Sequence, residues 1–161
     1  MSRHVVFRVL AVCFATALSF ASAAAQQPPD GMIETDGRAV AFSPIDVPGF
    51  APGLQIAPLQ GDPSVPDQPY TLRLMFPDGY EFPAHFHPRA ENLTVLSGTF
   101  YLAMGTTEDT SRLERYVPGD FLHIPATMAH YGGVRGETVV QLHGMGPFQI
   151  QLATRTATSG N

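Results

Sequence analysis

The chain has 161 residues, with nine basic and fourteen acidic side chains, a formal net charge of −5 and a sequence pI near 5.6. Every basic residue is an arginine, and the single cysteine is Cys13. This balance argues against nucleic acid or an anionic membrane as partner, excludes lysine Schiff-base chemistry, and leaves histidine and carboxylate as the reactive side chains.

The first stretch reads as a leader rather than as part of the fold. Arg3 and Arg8 flank the start, Val9 to Phe20 is an apolar run without charge, and Ala21-Ser22-Ala23-Ala24-Ala25 offers small-residue cleavage sites after Ala23 or Ala25. Residues 1–25 therefore predict a secretory signal peptide and a periplasmic or secreted protein with no membrane segment in its mature form. The apolar run is too short for a single-span anchor. Cys13 lies inside it, and the bulky Val12 does not suit lipoprotein cleavage, so the mature chain is expected to lack thiols and disulfides. The remainder, about 135 residues, is the size of one domain with a hydrophobic core.

Residues 26–69 are expected to form an arm. Pro28, Pro29, Pro44, Pro48, Pro52 and Pro58 forbid long helices, while Ala39-Val40-Ala41-Phe42 and Leu54-Gln55-Ile56-Ala57 read as edge strands that need a partner. Such an arm is suited to cover a sheet edge or to cross to a second subunit of a homodimer.

The core is expected over residues 70–152. Tyr70–Phe76 is rich in β-favouring residues and is closed by the turn Pro77-Asp78-Gly79. A strand carrying His85 and His87 follows, then Asn92–Leu96, a turn at Ser97-Gly98, and Thr99–Met104. Gly105–Arg112 is polar and turn-like. Leu113–Val117 leads through Pro118-Gly119-Asp120 to Phe121–Ile124, then Pro125 and a strand start at His130-Tyr131. Thr138–His143 and Phe148–Leu152 are the last strands, separated by Gly144–Pro147, and residues 153–161 form a Thr/Ser/Gly-rich tail. Many short strands with turn residues between them and no helical periodicity predict an all-β sandwich or barrel, jelly rolls included.

One stretch concentrates the chemistry. Gly79-Tyr-Glu-Phe-Pro-Ala-His85-Phe-His87-Pro-Arg-Ala-Glu91 places three metal-type ligands within seven residues. On an extended strand the period of two points His85 and His87 to one face, and a turn through Pro88 returns Glu91 beside them. Two imidazoles and a carboxylate suit a divalent transition ion but leave a fourth ligand to find. His130, after a strand and a proline bend, supplies one. The alternative is that these residues are ordinary buried polars, which would leave costly groups to satisfy.

The same residues resemble the cupin superfamily. Gly79, His85, His87, Glu91 and Gly98 match its first motif without a gap, and Gly119, Pro125 and His130 match its second. Thr127 stands where many cupins have glycine, and Val134 where many have asparagine; neither is a ligand position. The resemblance implies a single cupin-type double-stranded β-helix, or jelly-roll, barrel. It also implies that His85, His87, Glu91 and His130 bind one divalent metal ion, with Fe, Mn, Ni, Cu and Zn all compatible with such ligands.

Other side chains need weighing beside these. His143 and Gln141 share a strand face; if that face is inward, His143 is a candidate catalytic acid or base, and otherwise it is a surface histidine. His123, alternating with Leu122 and Ile124, is expected outward. Tyr101, Tyr131 and Arg73 are candidates for the cavity mouth, and Phe82, Phe86, Phe100, Met104, Phe121 and Met128 for its apolar surroundings. Glu81 shares the face of His85 only if no bulge intervenes at Pro83.

Three functions fit this ligand set. The first is an exported, metal-dependent enzyme acting on a small organic molecule, such as a dioxygenase opening an enol or diketone-like compound. The second is a periplasmic binder of a small ligand or metal without turnover. The third is a metal-dependent isomerase or lyase in which His143 moves a proton.

Overall fold

A computed structural model describes residues 31–153; the expected signal peptide and all but the first residue of the expected tail lie outside them. Among the described residues, those from Ile33 to Ala153 belong to one compact unit. Nine strands build it: β1 (Ser43–Pro44), β2 (Gln55–Gln60), β3 (Pro69–Phe76), β4 (Glu81–Phe86), β5 (Glu91–Met104), β6 (Glu114–Tyr116), β7 (Phe121–Ile124), β8 (His130–Met145) and β9 (Gln151–Leu152). The one described helical element is a 3-10 turn at Thr110–Arg112, capped by the Asp109 carboxylate accepting from Ser111 N–H.

Two long antiparallel strands, β5 and β8, run side by side and organise the rest. On the outer side of β8, its C-terminal half pairs with β3 and its N-terminal half with β4. On the outer side of β5, its N-terminal half pairs with β7 and its C-terminal half with β6. Each long strand thus serves both halves of a sheet that curls around a core. Tyr70, Leu72, Leu74 and Phe76 of β3 face Leu93, Val95, Phe100 and Leu102 of β5 and Val140 and Leu142 of β8 in that core.

The expected turn at Ser97-Gly98 is instead a bulge inside β5, with register shifts on both sides of Ser97. The inward residues change from Glu91, Leu93 and Val95 to Phe100 and Leu102, so the extra residue switches which parity faces the core. Gly98 is at φ +75°, and a Cβ there would run into Thr138 Oγ1 and the Glu137 carbonyl. Thr138, fully buried, donates from Oγ1 to Gly136 O at 3.0 Å and accepts from Thr99 N–H at 3.2 Å. Likewise His130-Tyr131 and Thr138–His143 are not separate strands but parts of the sixteen-residue β8. At the other end, Pro147 interrupts the ladder and only Gln151–Leu152 of the expected last strand pairs, against Phe86 and His85.

In the arm, the second expected strand forms as β2 and covers the edge of β3 in its own chain. The first does not: β1 is Ser43–Pro44, just beyond Phe42. Replacing Gly98 by alanine is expected to lower unfolding stability by at least about 2 kcal/mol, because left-handed strain adds to a clash with β8. A urea titration in which the midpoint falls at constant slope checks this.

Candidate metal centre

His85 lies on β4, His87 one residue beyond its end, Glu91 at the start of β5 and His130 at the start of β8. His85 is paired directly with His130, whereas Glu91 starts the other half of the curled sheet beside β7. The turn through Pro88 and Arg89 links the two halves, and all four side chains are buried. Ring centroids are 4.3 Å apart for His85 and His130, 5.1 Å for His85 and His87, and 5.3 Å for His87 and His130. One ring nitrogen from each histidine falls within 4.8 Å of the others, an arrangement that can hold a metal ion. Glu91 Oε2 lies 3.3 Å from His87 Nε2 and 3.6 Å from His130 Nε2.

A bulge in β4 makes this convergence work. Between Phe82 and His85 the register with β8 shifts, so Phe82 and His85 both face inward although they are an odd number of positions apart. Ala84 packs on the other side, with Ala103 and Tyr131, and Glu81 is exposed.

The tautomers are set by the backbone. Nδ1 of His85 donates to Pro83 O at 2.7 Å, that of His87 to Gln149 O at 2.8 Å, and that of His130 to Met128 O at 3.1 Å. A carbonyl only accepts, so each Nδ1 carries the proton and each Nε2 presents a lone pair to the interior. His87 Nε2 is buried without a hydrogen bond of acceptable geometry, its approach to Glu91 notwithstanding. An orphaned imidazole nitrogen beside two others of the same tautomer and a carboxylate fits a divalent transition ion.

Electrostatics keeps most of this set in ligand form. Burial, with the neighbouring His130, pushes the His85 pKa down to about 3. His130 is also lowered, by burial, against the pull of Glu91. For Glu91, burial works upward but the three histidines prevail, His87 foremost, and hold the carboxyl below its ordinary value. Burial lowers His87 but the Glu91 carboxylate outweighs it, so this histidine alone is raised.

Comparison with known proteins agrees with this geometry. The cupin domain pattern matches residues 72–144. Over these residues the chain carries a cupin domain. The polyketide cyclase RemF from Streptomyces resistomycificus shares the fold at TM-score 0.61 and 19% identity, over 78% of this chain and 88% of that one. A cupin 2 conserved barrel domain protein from Rhodopseudomonas palustris gives TM-score 0.57 and 17% identity, over 77% and 86%. A candidate acetylacetone dioxygenase from Methylibium petroleiphilum PM1 gives TM-score 0.56 and 14% identity, over 77% and 83%. At these identities the likeness is one of fold. No curated protein matches the sequence.

The remaining expected site residues lie elsewhere. His143 is exposed on the outer face of β8, with its ring 6.4 Å from that of the exposed Phe121. Leu142 and Val140 take the inward positions, so strand parity removes His143 from the cavity. Gln141 shares that outer face and accepts from Arg73 Nε at 3.2 Å, which also places Arg73 outside. His123 is exposed as expected, its Nδ1 2.8 Å from Asn92 Oδ1. Tyr101 and Tyr131 line a separate outer groove of about 710 Å³, and the Tyr131 hydroxyl donates to Asp109 O at 3.0 Å. Phe82 and Phe100 do line the cavity, whereas Phe121 and Met128 are exposed.

Sequence reasoning missed the residues that close the site. Phe50 from the arm meets His85 edge-on at 5.1 Å, and Phe148 stacks on His87 at 4.9 Å. The only signal for them was their aromatic character next to proline and glycine. Thr127, one of the two departures from the second motif, sits at φ +64° and donates its N–H to His87 O at 2.8 Å. Thr127→Gly is expected to leave stability within about 0.5 kcal/mol, since relief of left-handed strain offsets the added freedom of the unfolded chain; thermal unfolding reads the difference.

The pKa directions give a pH dependence. For His85, His130 and Glu91, all lowered in the fold, the unfolded chain takes up protons that the folded metal-free site refuses. Their stabilisation is complete above the unfolded values and is lost as pH falls, the two histidines acting from about pH 6.5 downward and Glu91 from about 4.5. His87, raised, has the opposite sign and loses its contribution as pH rises through its folded value. Urea midpoints of the metal-free protein are therefore expected to fall between pH 7 and 5, with a steeper fall in the metal-loaded form, where protons also compete with the ion.

Proposed function

We propose that this cupin is an exported, metal-dependent enzyme of dioxygenase type acting on a small organic substrate. His85, His87, Glu91 and His130 are its proposed ligands. The observation that carries the reading is the shared tautomer: three Nε2 lone pairs and one carboxylate converge at the end of an apolar cavity. A bound divalent ion supplies Lewis acidity and, where it is redox-active, a path for electrons. Three neutral histidines and one carboxylate leave about one net positive charge around such an ion, suited to an anionic enolate. The carbonyls of Pro83, Gln149 and Met128 hold the rings in place, and Leu93, Phe100 and Val140 keep water from the reacting atoms. Export rests on the leader at residues 1–25.

Loading the purified protein with Fe, Mn, Ni, Cu or Zn in turn and following oxygen uptake with flavonols and diketones tests the enzyme. Uptake with at least one metal, lost on chelation and reduced at least about a hundredfold in His85→Ala and His130→Ala, is the expected result. His143→Ala is expected to keep turnover within about twofold, because an outward residue does not touch substrate. Absence of uptake with every metal would remove the oxygenase reading.

A second reading has one observation in its favour. The cavity beside the four residues has about 30 Å³ of free space, close to the share of one water molecule. That suits a protein that binds metal alone. Tight stoichiometric metal binding with every candidate substrate recovered unchanged would favour it. The isomerase or lyase reading loses the proton-moving role of His143, which lies on the outer face.

A further inference from the structure

The walls of the cavity restrict what can enter it. Apart from His85, His87, Glu91 and His130, every described residue that lines it is a phenylalanine, leucine, isoleucine or valine. No hydroxyl, amide, guanidinium or second carboxylate faces the interior there. Polar recognition is therefore confined to one end, and any polar group that a bound molecule carries elsewhere would be buried without a partner.

The free space is also too small for an organic molecule, so something must move. Two aromatic rings close the site, and their backbones are held differently. The segment carrying Phe148 is part of the centre: Phe148 N–H donates to Pro63 O at 2.7 Å, and the next carbonyl, that of Gln149, holds His87. Shifting it would release a proposed ligand. Phe50 stands in a turn between β1 and β2, where its N–H donates to Val47 O at 3.0 Å and the Tyr80 hydroxyl donates to the adjacent Ala51 O at 2.5 Å. No backbone atom of Phe50 holds a proposed ligand, and its half-buried ring meets His85 by an edge contact alone. The Phe50 ring packs at the margin of the core, and its displacement would break no hydrogen bond that holds the histidines.

We propose that the site selects compact molecules whose polar groups are confined to one end and whose body is otherwise hydrocarbon-like, and that the Phe50 ring sets their size. This rests on the metal-centre reading above. Sugars, polyhydroxylated acids and nucleotides are excluded by the bare apolar wall. Phe50 acts as a specificity determinant by occupying the volume that the body of the substrate takes.

Binding to the cobalt(II)-loaded protein, followed through its visible spectrum, tests this without requiring turnover. Allomaltol and kojic acid share one hydroxyketone head and differ by a single hydroxyl on the body. Allomaltol is expected to bind at least about tenfold tighter, the usual consequence of burying an unpaired hydroxyl. The larger 3-hydroxyflavone, with the same head, is expected to bind Phe50→Ala at least about tenfold tighter than the natural protein, with Phe50→Leu intermediate. The leucine variant retains an apolar cap and serves if the alanine variant does not fold. Equal affinities for allomaltol and kojic acid, or equal affinity of 3-hydroxyflavone for the natural and variant proteins, would overturn the proposal while leaving the metal centre intact. Failure to take up cobalt(II) at all would overturn both.

Discussion

Three backbone carbonyls decide what the histidines of this protein can do. A buried imidazole with both nitrogens free can turn or exchange its proton between them; one whose Nδ1–H is engaged can do neither. Pro83 O and Met128 O lie two residues before the rings they hold, so His85 and His130 are fixed by their own strand entries. Gln149 O reaches His87 from sixty-two residues away. That bond, with the pairing of Leu152 against His85, makes the C-terminal segment part of the centre, where Phe148 stacks on the His87 ring.

The long strands supply the frame in which those local devices meet. Had β5 and β8 been regular, each would have presented one parity to the core throughout, and the curled sheet would have had no way to seat Leu93 and Phe100 on the same side. The bulge at Ser97, with Gly98 in the left-handed region and Thr138 bridging to Thr99, absorbs that change. A second bulge, in β4, does the same for Phe82 and His85. The first irregularity lets the sheet close over the core, and the second turns a ligand into it. Both occur where antiparallel ladders bend most readily.

The amino-acid sequence made the elements legible where residue chemistry was local. The strand at Tyr70–Phe76, the turn at Pro118-Gly119-Asp120 and the grouping of His85, His87 and Glu91 follow from β-propensity, turn residues and spacing, and the resemblance to cupins adds His130. What it did not reveal depends on parity carried over distance. The Ser97-Gly98 pair has turn chemistry, and only its partner strand shows that the chain continues through it. His143 and Gln141 were correctly placed on one face, but the side that this face takes is decided by Leu142 and Val140 entering the core. Phe50 was hidden for a different reason. A lone aromatic in a proline-rich arm carries no periodicity, and its contact with His85 spans thirty-five positions of chain.

The apolar shell gives the centre its demand for a cation. Glu91 is buried among imidazoles, and among the described lining residues there is no arginine to balance it. A carboxylate so placed either takes a proton or favours one on a neighbour, and Glu91 does the second, raising the pKa of His87 in the metal-free site. A proton taken up by His87 would sit on Nε2, a buried nitrogen without a hydrogen-bond partner among the described residues. A divalent ion would meet both requirements at once, neutralising Glu91 and filling the open lone pair of His87, and it would displace any proton held there. Metal and proton thus compete for one site, and the hydrocarbon wall that repels polar substrates also keeps water from settling that competition in their place.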